Sequence, residues 1–371
     1  MKYYIIAGEA SGDLHGARLM RALRSCDPQA VFRYWGGEKM AAEGGTLAGD
    51  YREGAVMGVK EVLGKAGRFL HRLSVCKTDI AAWAPDAVIL IDYPGFNLRI
   101  ARFASRIGIK VFWYIAPKVW ATREGRVRKL RRWVNRLFVI FPFEKDYFSR
   151  HGIDASYVGN PLVDITGRDT AVDETASPYI ALLPGSRRME VSRTMPVFLE
   201  LERKMASSPL KDYRLVVAAA DSLDDAVYEE YLSGSSMELV RGDTYSVLKN
   251  AAAAVIDSGT ASLEAALLSV PQVVVYAMDP LSYRLARLML KTKYISLANI
   301  ILDKPVFEEL IQQDCNAARI LAVLEKLVND EDCRSAILED YASLRRQLGE
   351  GGAAERAASE MVSCLKATIE E

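Results

Sequence analysis

Short apolar runs alternate with amphipathic segments along most of the chain. The runs have the length of buried strands, and the segments between them repeat apolar residues at helical spacing. Strands that alternate with helices are typical of a parallel sheet covered by helices. The predicted strands lie within residues 1–9 and at 86–91, 110–115, 137–141, 179–183, 213–219, 237–240, 252–256 and 272–276.

A polar, turn-rich segment at residues 166–178 divides this pattern into two halves and is typical of a linker. We therefore predict an α/β fold with two Rossmann-like domains facing a cleft, one at 1–165 and the other at 179–345. The tail from Val306 onward has the pattern of helices. We expect its last part, 346–371, either to pack back on the first domain or to swap into another chain.

The composition limits the kind of protein. Of 371 residues, 50% are hydrophobic and 26% are charged, which indicates a globular protein with substantial cores. Lys plus Arg and Asp plus Glu both number 48, so the overall charge predicts no nucleic acid partner. The five cysteines are scattered without a CxxC pair, which favours a reducing cytoplasm. No apolar stretch reaches the roughly 18 residues of a transmembrane helix, so we expect any membrane contact to be peripheral.

Small and polar residues follow the strand predicted at 252–256. Ser258, Gly259 and Thr260 form a turn before a helix predicted at 263–268. Backbone amides at a helix N-terminus attract anions, so this turn favours a phosphate. With Thr260 as N-cap, Glu264 lies one turn further along the same face, where its carboxylate can accept hydrogen bonds from a ribose. The alternative is an ordinary strand-to-helix turn with a well-capped helix.

A glycine-rich turn also follows the first predicted strand. It contains Gly8, Glu9, Ser11, Gly12 and Asp13, but the spacing is not GxGxxG, so the dinucleotide fingerprint is absent. Such a turn still lies at the carboxyl edge of a parallel sheet, where ligands bind. The three polar side chains are therefore candidates for ligand contact; alternatively, they cap the following helix.

Two charged residues follow strands at positions where chemistry is expected. Asp92 comes directly after strand 86–91, so its carboxylate faces the crevice of an open sheet and is our candidate general base. Its alternative role is to cap a helix that begins near Leu98, for which Asn97 is also suited. Arg187, beside Ser186 at the start of the helix after strand 179–183, adds a fixed positive charge that suits a departing diphosphate.

Two stretches, 55–73 and 118–136, mix apolar with basic residues, and the second holds eight Lys or Arg against one acid. Either stretch can dock on an anionic membrane surface, or it can cover a core with its charged face in water. The candidate membrane-facing residues are Val56, Met57, Val59, Val62, Leu63, Phe69 and Leu70 in the first stretch, and Arg128, Lys129, Arg131 and Arg132 in the second.

Six motifs follow one another along nearly the whole chain. They are Gly8-Glu9-Ala10-Ser11-Gly12-Asp13, Met57-Gly58 with Glu61-Val62-Leu63, Ile91-Asp92-Tyr93-Pro94-Gly95-Phe96-Asn97, Val119-Trp120-Ala121, Leu183-Pro184-Gly185-Ser186-Arg187 and Ser258-Gly259-Thr260-Ala261-Ser262-Leu263-Glu264. In order and content they resemble the motifs of the lipid-A-disaccharide synthase family. The chain departs from the family's pattern at Asn160, where His is more frequent, and at Thr122, where a second Trp is more frequent.

The resemblance implies a GT-B-type glycosyltransferase whose C-terminal half holds a sugar nucleotide and whose N-terminal half holds the acceptor. The implied reaction joins UDP-2,3-diacylglucosamine to 2,3-diacylglucosamine 1-phosphate and gives a β-1,6-linked disaccharide 1-phosphate and UDP, with inversion at the donor's anomeric carbon. Asp92 is then the base, Arg187 the partner of the leaving diphosphate and Glu264 the ribose ligand. The resemblance adds Asn299, Glu308 and Gln312 as donor-site candidates. We expect no cofactor and no metal.

Both implied substrates carry acyl chains, which are costly to withdraw from a bilayer. We therefore expect the protein to work at the cytoplasmic face of the inner membrane, with the two mixed stretches, and a similar one at 283–291, docked on anionic lipid. The sequence leaves the oligomeric state and the acyl-chain length open.

Three competing interpretations follow from the same residues. A related transferase or epimerase that uses unacylated UDP-sugars shares the fold, but it does not need apolar and basic surface helices. A nucleotide-dependent dehydrogenase is disfavoured by the missing GxGxxG. A non-catalytic protein that binds membranes or nucleic acid would explain the basic stretch, but it leaves Asp92, Arg187 and the turn at Ser258 without a role.

Overall fold

A computed structural model describes residues 1–52, 62–166 and 178–369 of the chain. The chain folds into two compact units, one formed by Met1–Pro161 with Glu350–Glu371 and the other by Leu162–Gly349. Each unit is built on one parallel sheet with helices packed against it. The prediction of an α/β fold with two parallel-sheet domains is confirmed.

The described part of the first unit contains a seven-stranded sheet with the order β3-β2-β1-β4-β5-β6-β7, parallel at every pairing. The strands are β1 (Lys2–Ala7), β2 (Val31–Gly36), β3 (Thr46–Asp50), β4 (Ala87–Ile91), β5 (Lys110–Tyr114), β6 (Arg136–Val139) and β7 (Ala155–Tyr157). The helices are α1 (Ala10–Cys26), α2 (Glu38–Ala42), α3 (Val62–Trp83), α4 (Pro94–Arg106), α5 (Val127–Trp133) and α6 (Pro142–Arg150), while α7 (Pro161–Thr166) begins at the boundary between the units.

The central strands of this sheet are buried on both faces. Alternate residues of a strand point to opposite faces, so Tyr3 and Ile5 belong to one core while Tyr4 and Ile6 belong to the other. Near-continuous apolar runs with this double burial explain why β1, β4 and β5 could be recognised in the sequence.

The C-terminal helix α16 (Ala353–Ile369) completes the first unit by packing on α1. Its alanines at 354, 357 and 358 and its Met361 are buried in the same core as Tyr3, and small residues let the two helices approach closely. Glu360 accepts a hydrogen bond from Ser156 Oγ at 2.6 Å, and Arg356 Nε donates to the Val158 carbonyl at 2.9 Å. The chain therefore returns to its first domain, which is one of the two arrangements that the sequence left open.

The described part of the second unit contains a six-stranded parallel sheet with the order β10-β9-β8-β11-β12-β13. The strands are β8 (Tyr179–Leu183), β9 (Arg214–Ala219), β10 (Glu238–Arg241), β11 (Ala253–Asp257), β12 (Gln272–Tyr276) and β13 (Glu309–Ile311). The helices are α8 (Arg188–Met205), α9 (Ala226–Leu232), α10 (Thr244–Lys249), α11 (Ala261–Leu267), α12 (Pro280–Met289), α13 (Leu297–Leu302), α14 (Ala317–Asn329) and α15 (Glu331–Leu348).

Several elements differ from the sequence-based prediction. The tail from Val306 is not purely helical, because β13 adds a three-residue edge strand that is too short to show a period of two. Strands β2, β3 and β7 were not predicted; β2 is interrupted by Arg33, and β3 contains Gly49. The helix expected to begin near Leu98 begins at Pro94. Most of the proposed linker, residues 167–177, lies outside the described residues.

Candidate functional site

Three loops meet at the carboxyl edge of the first sheet. Ala7 of β1 is level with Ile91 of β4, and Ile91 is level with Tyr114 of β5. Gly8, Asp92 and the loop that carries Lys118 therefore leave neighbouring strands at the same edge. Ligands bind at this edge in open parallel sheets, so the topology brings the predicted site residues Gly8 and Asp92 close to the loop that carries Lys118.

Asp92 stands on a strained turn. Asp92 and Tyr93 both have positive φ, 40° and 45°, a region that residues other than glycine rarely adopt. Asn97, buried inside α4, donates from Nδ2 to the carbonyls of Asp92 at 2.8 Å and Ile91 at 3.2 Å. The N-cap of α4 is Tyr93. The capping roles considered for Asp92 and Asn97 were therefore wrong. Asn97 instead holds the turn through its hydrogen bonds to the two backbone carbonyls.

The surroundings of Asp92 favour its protonated form. The side chain is accessible to solvent, yet partial desolvation raises its pKa, and the charge of Glu9 acts in the same direction. Lys118 opposes this shift. A carboxyl whose pKa lies above its ordinary value is a stronger base, which suits the abstraction of a proton from a hydroxyl.

The glycine-rich turn after β1 is shaped by close contacts. A Cβ on Gly8 would lie 2.2 Å from Cγ of Tyr93, so only glycine leaves room for that ring. Gly12 is buried against Ala7, while Glu9 and Ser11 are exposed at the start of α1. Asp13 differs from the prediction because it is buried and accepts hydrogen bonds from the amides of residues 37, 39 and 40, at 2.7, 3.0 and 3.2 Å. It anchors the start of α2, so the expectation of ligand contact is corrected for this residue.

The loop after β5 is held by a buried carboxylate that the sequence did not single out. Glu144 Oε1 accepts a hydrogen bond from Trp120 Nε1 at 2.8 Å, and Oε2 accepts from the amides of Phe141 and Ile140 at 3.0 and 3.1 Å. Burial raises the pKa of Glu144 to about 7 against the effect of these hydrogen bonds. Lys118 lies on this loop, and desolvation lowers the pKa of its ammonium group while Asp92 and Glu144 oppose the shift.

A second group of predicted residues lies at the carboxyl edge of the second sheet. Ile256 of β11 is level with Leu183 of β8, so the turns that follow these strands are neighbours. Arg187 is exposed at the N-cap of α8, and its guanidinium contacts Glu190 Oε1 at 2.7 Å. Glu190 Oε2 also accepts hydrogen bonds from the amides of Ser186 and Arg187, at 2.8 and 3.2 Å. The cationic side chain is thus fixed beside the turn at Ser258.

The turn after β11 leads directly into α11. Thr260 occupies the N-cap position, but its hydroxyl makes no capping hydrogen bond, and the Ser262 hydroxyl donates to the Gly259 carbonyl instead, at 2.9 Å. Glu264 lies in the first turn and accepts a hydrogen bond from the Tyr245 hydroxyl at 3.0 Å. Burial raises the pKa of Glu264, and the Tyr245 hydrogen bond opposes this. Gly259 and Thr260 are exposed, so the turn is open to an anion.

The other donor-site candidates have largely structural contacts. Asn299 is buried; it donates to the Phe307 carbonyl and accepts from the Val306 amide at 2.9 Å, so direct ligand contact is corrected for it. Gln312 pairs in both directions with the Met278 backbone, at 2.7 and 3.0 Å, and ties the loop after β12 to the end of β13. Glu308 is exposed, 3.7 Å from Arg319.

The candidate membrane-facing residues divide into three groups. Val56, Met57 and Val59 lie outside the described residues, as do the side chains of Val62 and Leu63 in the first turn of α3. Phe69 is partly buried and packs edge-on against Phe96 with ring centroids 5.8 Å apart, so its place on an outer face stays a prediction. The exposed members are Leu70, Arg128, Lys129, Arg131 and Arg132.

A further apolar and basic surface lies on α12. Leu281 and Leu288, one helical heptad apart, are 79% and 85% exposed, and Arg284 and Arg287 are exposed beside them. Across the described ranges, no helix has both the length and the apolar character needed to span a bilayer. The described residues likewise contain no cluster of three His, Cys, Asp or Glu side chains suited to a metal ion.

The fold of two parallel α/β domains is shared with solved structures. A UDP-N-acetylglucosamine 2-epimerase from Listeria monocytogenes superposes with a TM-score of 0.65 at 15% identity, covering 100% of this chain and 96% of that one. A calicheamicin glycosyltransferase superposes with a TM-score of 0.62 at 16% identity, covering 98% and 97%. At this level of identity the similarity defines the fold alone.

The family is defined by sequence. The model of the family described as lipid-A-disaccharide synthetase matches residues 3–363. Lipid-A-disaccharide synthase from Syntrophus aciditrophicus is 40% identical over 98% of this chain and 97% of its own length, and the Myxococcus xanthus enzyme is 38% identical over 97% of each. The chain belongs to the lipid-A-disaccharide synthase family, which confirms the resemblance found in the motifs.

Proposed function

We propose that the protein transfers a 2,3-diacylglucosamine unit from UDP to the 6-hydroxyl of 2,3-diacylglucosamine 1-phosphate, with inversion at the donor's anomeric carbon. The products are the β-1,6-linked disaccharide 1-phosphate and UDP. The observation that carries the proposal is the family match along the whole chain, together with a raised-pKa carboxylate at one sheet edge and a fixed cation at the other.

In this reaction Asp92 takes the proton of the acceptor hydroxyl as it attacks the anomeric carbon. Its position on a turn fixed by Asn97 supports this role, because a base must be held within hydrogen-bond reach of the proton. Gly8, Glu9 and Ser11 line the neighbouring turn and supply the adjacent ligand contacts, and the buried Gly12 shapes that turn by packing against Ala7.

The leaving diphosphate binds Arg187 and the amides of Gly259 and Thr260, since the Ser258 amide donates to the Val275 carbonyl at 2.9 Å. A guanidinium and backbone donors stabilise the negative charge that develops as the bond to UDP breaks. These groups provide the positive potential that a metal ion provides in other enzymes. Glu264 accepts hydrogen bonds from the ribose, exchanging its contact with Tyr245. Glu308 and Gln312 contact the sugar-nucleotide donor at the edge of its site.

The test is UDP release by the purified protein from UDP-2,3-diacylglucosamine in detergent micelles, with and without 2,3-diacylglucosamine 1-phosphate. We expect release that depends on the acceptor. Turnover of UDP-N-acetylglucosamine without release from the acylated donor would reject the proposal in favour of an enzyme for unacylated sugars.

Because both substrates are lipids, we further propose that the protein works at the cytoplasmic face of the inner membrane. The support is a set of exposed apolar and basic residues: Leu70 on α3, the basic residues of α5, and Leu281 and Leu288 with their arginines on α12. Such a mixture inserts apolar side chains below the headgroups and contacts lipid phosphates.

Replacing Leu281 and Leu288 together by Ser is expected to weaken binding to anionic vesicles by about tenfold or more. Each leucine that leaves water contributes about 1.5–3 kcal/mol, and serine does not. Co-sedimentation with phosphatidylglycerol vesicles measures the effect. Ile107→Ser, which alters an apolar residue of 45% exposure outside this surface, is the matched control. Equal sedimentation of the double variant and the control would exclude α12 from the docking surface.

A further inference from the structure

Asp257 is a buried carboxyl to which the proposed reaction gives no role. It is the last residue of β11, is only 6% exposed, and immediately precedes the turn at Ser258. A carboxylate beneath a site for a diphosphate is unfavourable, because like charges repel most strongly where water is excluded. Its presence there calls for a chemical explanation.

A second carboxylate faces Asp257 across the backbone of Gly185. A Cβ on Gly185 would lie 3.1 Å from Oδ2 of Asp257 and 2.8 Å from Oε2 of Glu190, and Gly185 itself has a φ of 110° that favours glycine. The two acids are therefore near neighbours. Glu190 is paired with Arg187, whereas no ion pair to Asp257 forms within the described ranges of the chain.

Burial and the neighbouring charges together bring the pKa of Asp257 close to neutral pH. Burial, followed by the charge of Glu190, raises the pKa of Asp257 to about 7, while the amide of Ser258 and the charges of Arg187 and Arg193 oppose the shift. From the other packed elements, Tyr276 on β12 and Cys315 before α14 also face this carboxyl, and its charge contributes to raising the pKa of each.

We propose that Asp257 takes up one proton from solvent when the donor's diphosphate binds at the carboxyl edge of the second sheet, and releases it when UDP leaves. This inference rests on the proposed function. The diphosphate brings negative charge to the Ser258 turn, in addition to the charge of Glu190, so both nearby charges disfavour an ionised Asp257. The proton adds to a carboxylate oxygen, and no covalent bond to the ligand forms.

The sign of the effect follows from linkage. A ligand that binds the protonated form better is bound best below the pKa of the free protein. Above about pH 7 the binding of each UDP molecule requires Asp257 to take up a proton from solvent. The dissociation constant therefore rises by up to tenfold per pH unit. Asp257→Asn, which is neutral and nearly isosteric, removes this dependence and binds UDP more tightly than the wild type at high pH.

The experiment is isothermal titration of the full chain with UDP at about pH 6.5 and about pH 8.5, in two buffers of different protonation enthalpy. The proteins are the wild type, Asp257→Asn and Asp212→Asn, the last an exposed aspartate of the same unit. Protons exchanged by UDP itself are the same for all three proteins and cancel when their proton uptakes are compared. We expect the wild type and Asp212→Asn to take up more protons than Asp257→Asn and to lose affinity at the higher pH.

The outcomes are distinguishable. UDP binding with the same pH dependence and proton uptake in all three proteins overturns the inference and leaves the proposed function standing. Absence of UDP binding at every pH overturns both. A second variant, Glu190→Gln, keeps the test independent of Asp257→Asn folding. Removing the neighbouring charge lowers the pKa of Asp257, so the loss of affinity is expected to begin at lower pH than in the wild type.

Melting temperature supplies a readout that needs no ligand. Folding raises the pKa of Asp257 from 3.8 to about 7, so the stability of the wild type falls as pH rises between these values and is level above them. The melting temperature of Asp257→Asn is therefore expected to rise relative to that of the wild type between about pH 5 and about pH 8.5. An equal difference at both pH values would show that Asp257 does not titrate in this range and would overturn the inference.

Discussion

Asp92→Asn is expected to lower acceptor-dependent UDP release by at least about a hundredfold, the usual contribution of a general base. Asparagine keeps the size and the strained backbone position but cannot accept the proton of the acceptor hydroxyl. In the wild type the rate should rise with pH as Asp92 loses its proton, at a pH above the ordinary range of aspartate because desolvation raises its pKa. This acid limb should be absent from the residual rate of the variant.

The matched control is Asp146→Asn, which removes the same charge from an exposed position on α6. Both variants should melt near the wild-type temperature and bind UDP as the wild type does, because neither change touches the second unit. A rate for Asp92→Asn within a few-fold of the Asp146→Asn rate would remove Asp92 from the role of base.

The placement of Asp92 could be predicted from sequence because one short run fixes it. Five buried residues of β4 precede it, and the carboxyl edge of a parallel sheet is where side chains meet a ligand. The same argument located Arg187 and the Ser258 turn, since β8 and β11 are also fully buried runs. Strands without such runs, namely β2, β3, β7 and β13, escaped detection.

Contacts between distant parts of the chain could not be predicted. The position of Asp13 in a glycine-rich turn predicts contact with a ligand, but the amides that bind its carboxylate belong to residues 37, 39 and 40. Phe69 is one apolar residue among basic ones in the sequence, and only its contact with Phe96, on another helix, shows that its ring is partly buried. A local pattern records the period of an element but not which face meets which partner, so burial of individual polar and apolar residues had to come from the structure.

Glu144 shows the energetic weight of such a distant contact, since it joins α6 to the loop after β5. Glu144→Ala is expected to lower the free energy of unfolding by about 4 kcal/mol, because the Trp120 indole and two backbone amides lose their acceptor in a buried site, at about 1–3 kcal/mol each. Denaturant unfolding followed by tryptophan fluorescence measures the loss. Lys145→Ala, an exposed change at the next residue, is the control.

Glu144→Gln tests the electrostatic part of this account. The pKa of Glu144 is raised on folding, from 4.5 to about 7, so the folded protein binds more protons than the unfolded chain between these values. Wild-type stability should therefore fall as pH rises from about 4.5 to about 7, by about 3 kcal/mol, while glutamine does not titrate. The advantage of the wild type over Glu144→Gln should accordingly be largest in acid and shrink towards neutral pH. A constant difference would mean that the carboxylate stays ionised in the fold, held by its three donors more strongly than burial opposes it.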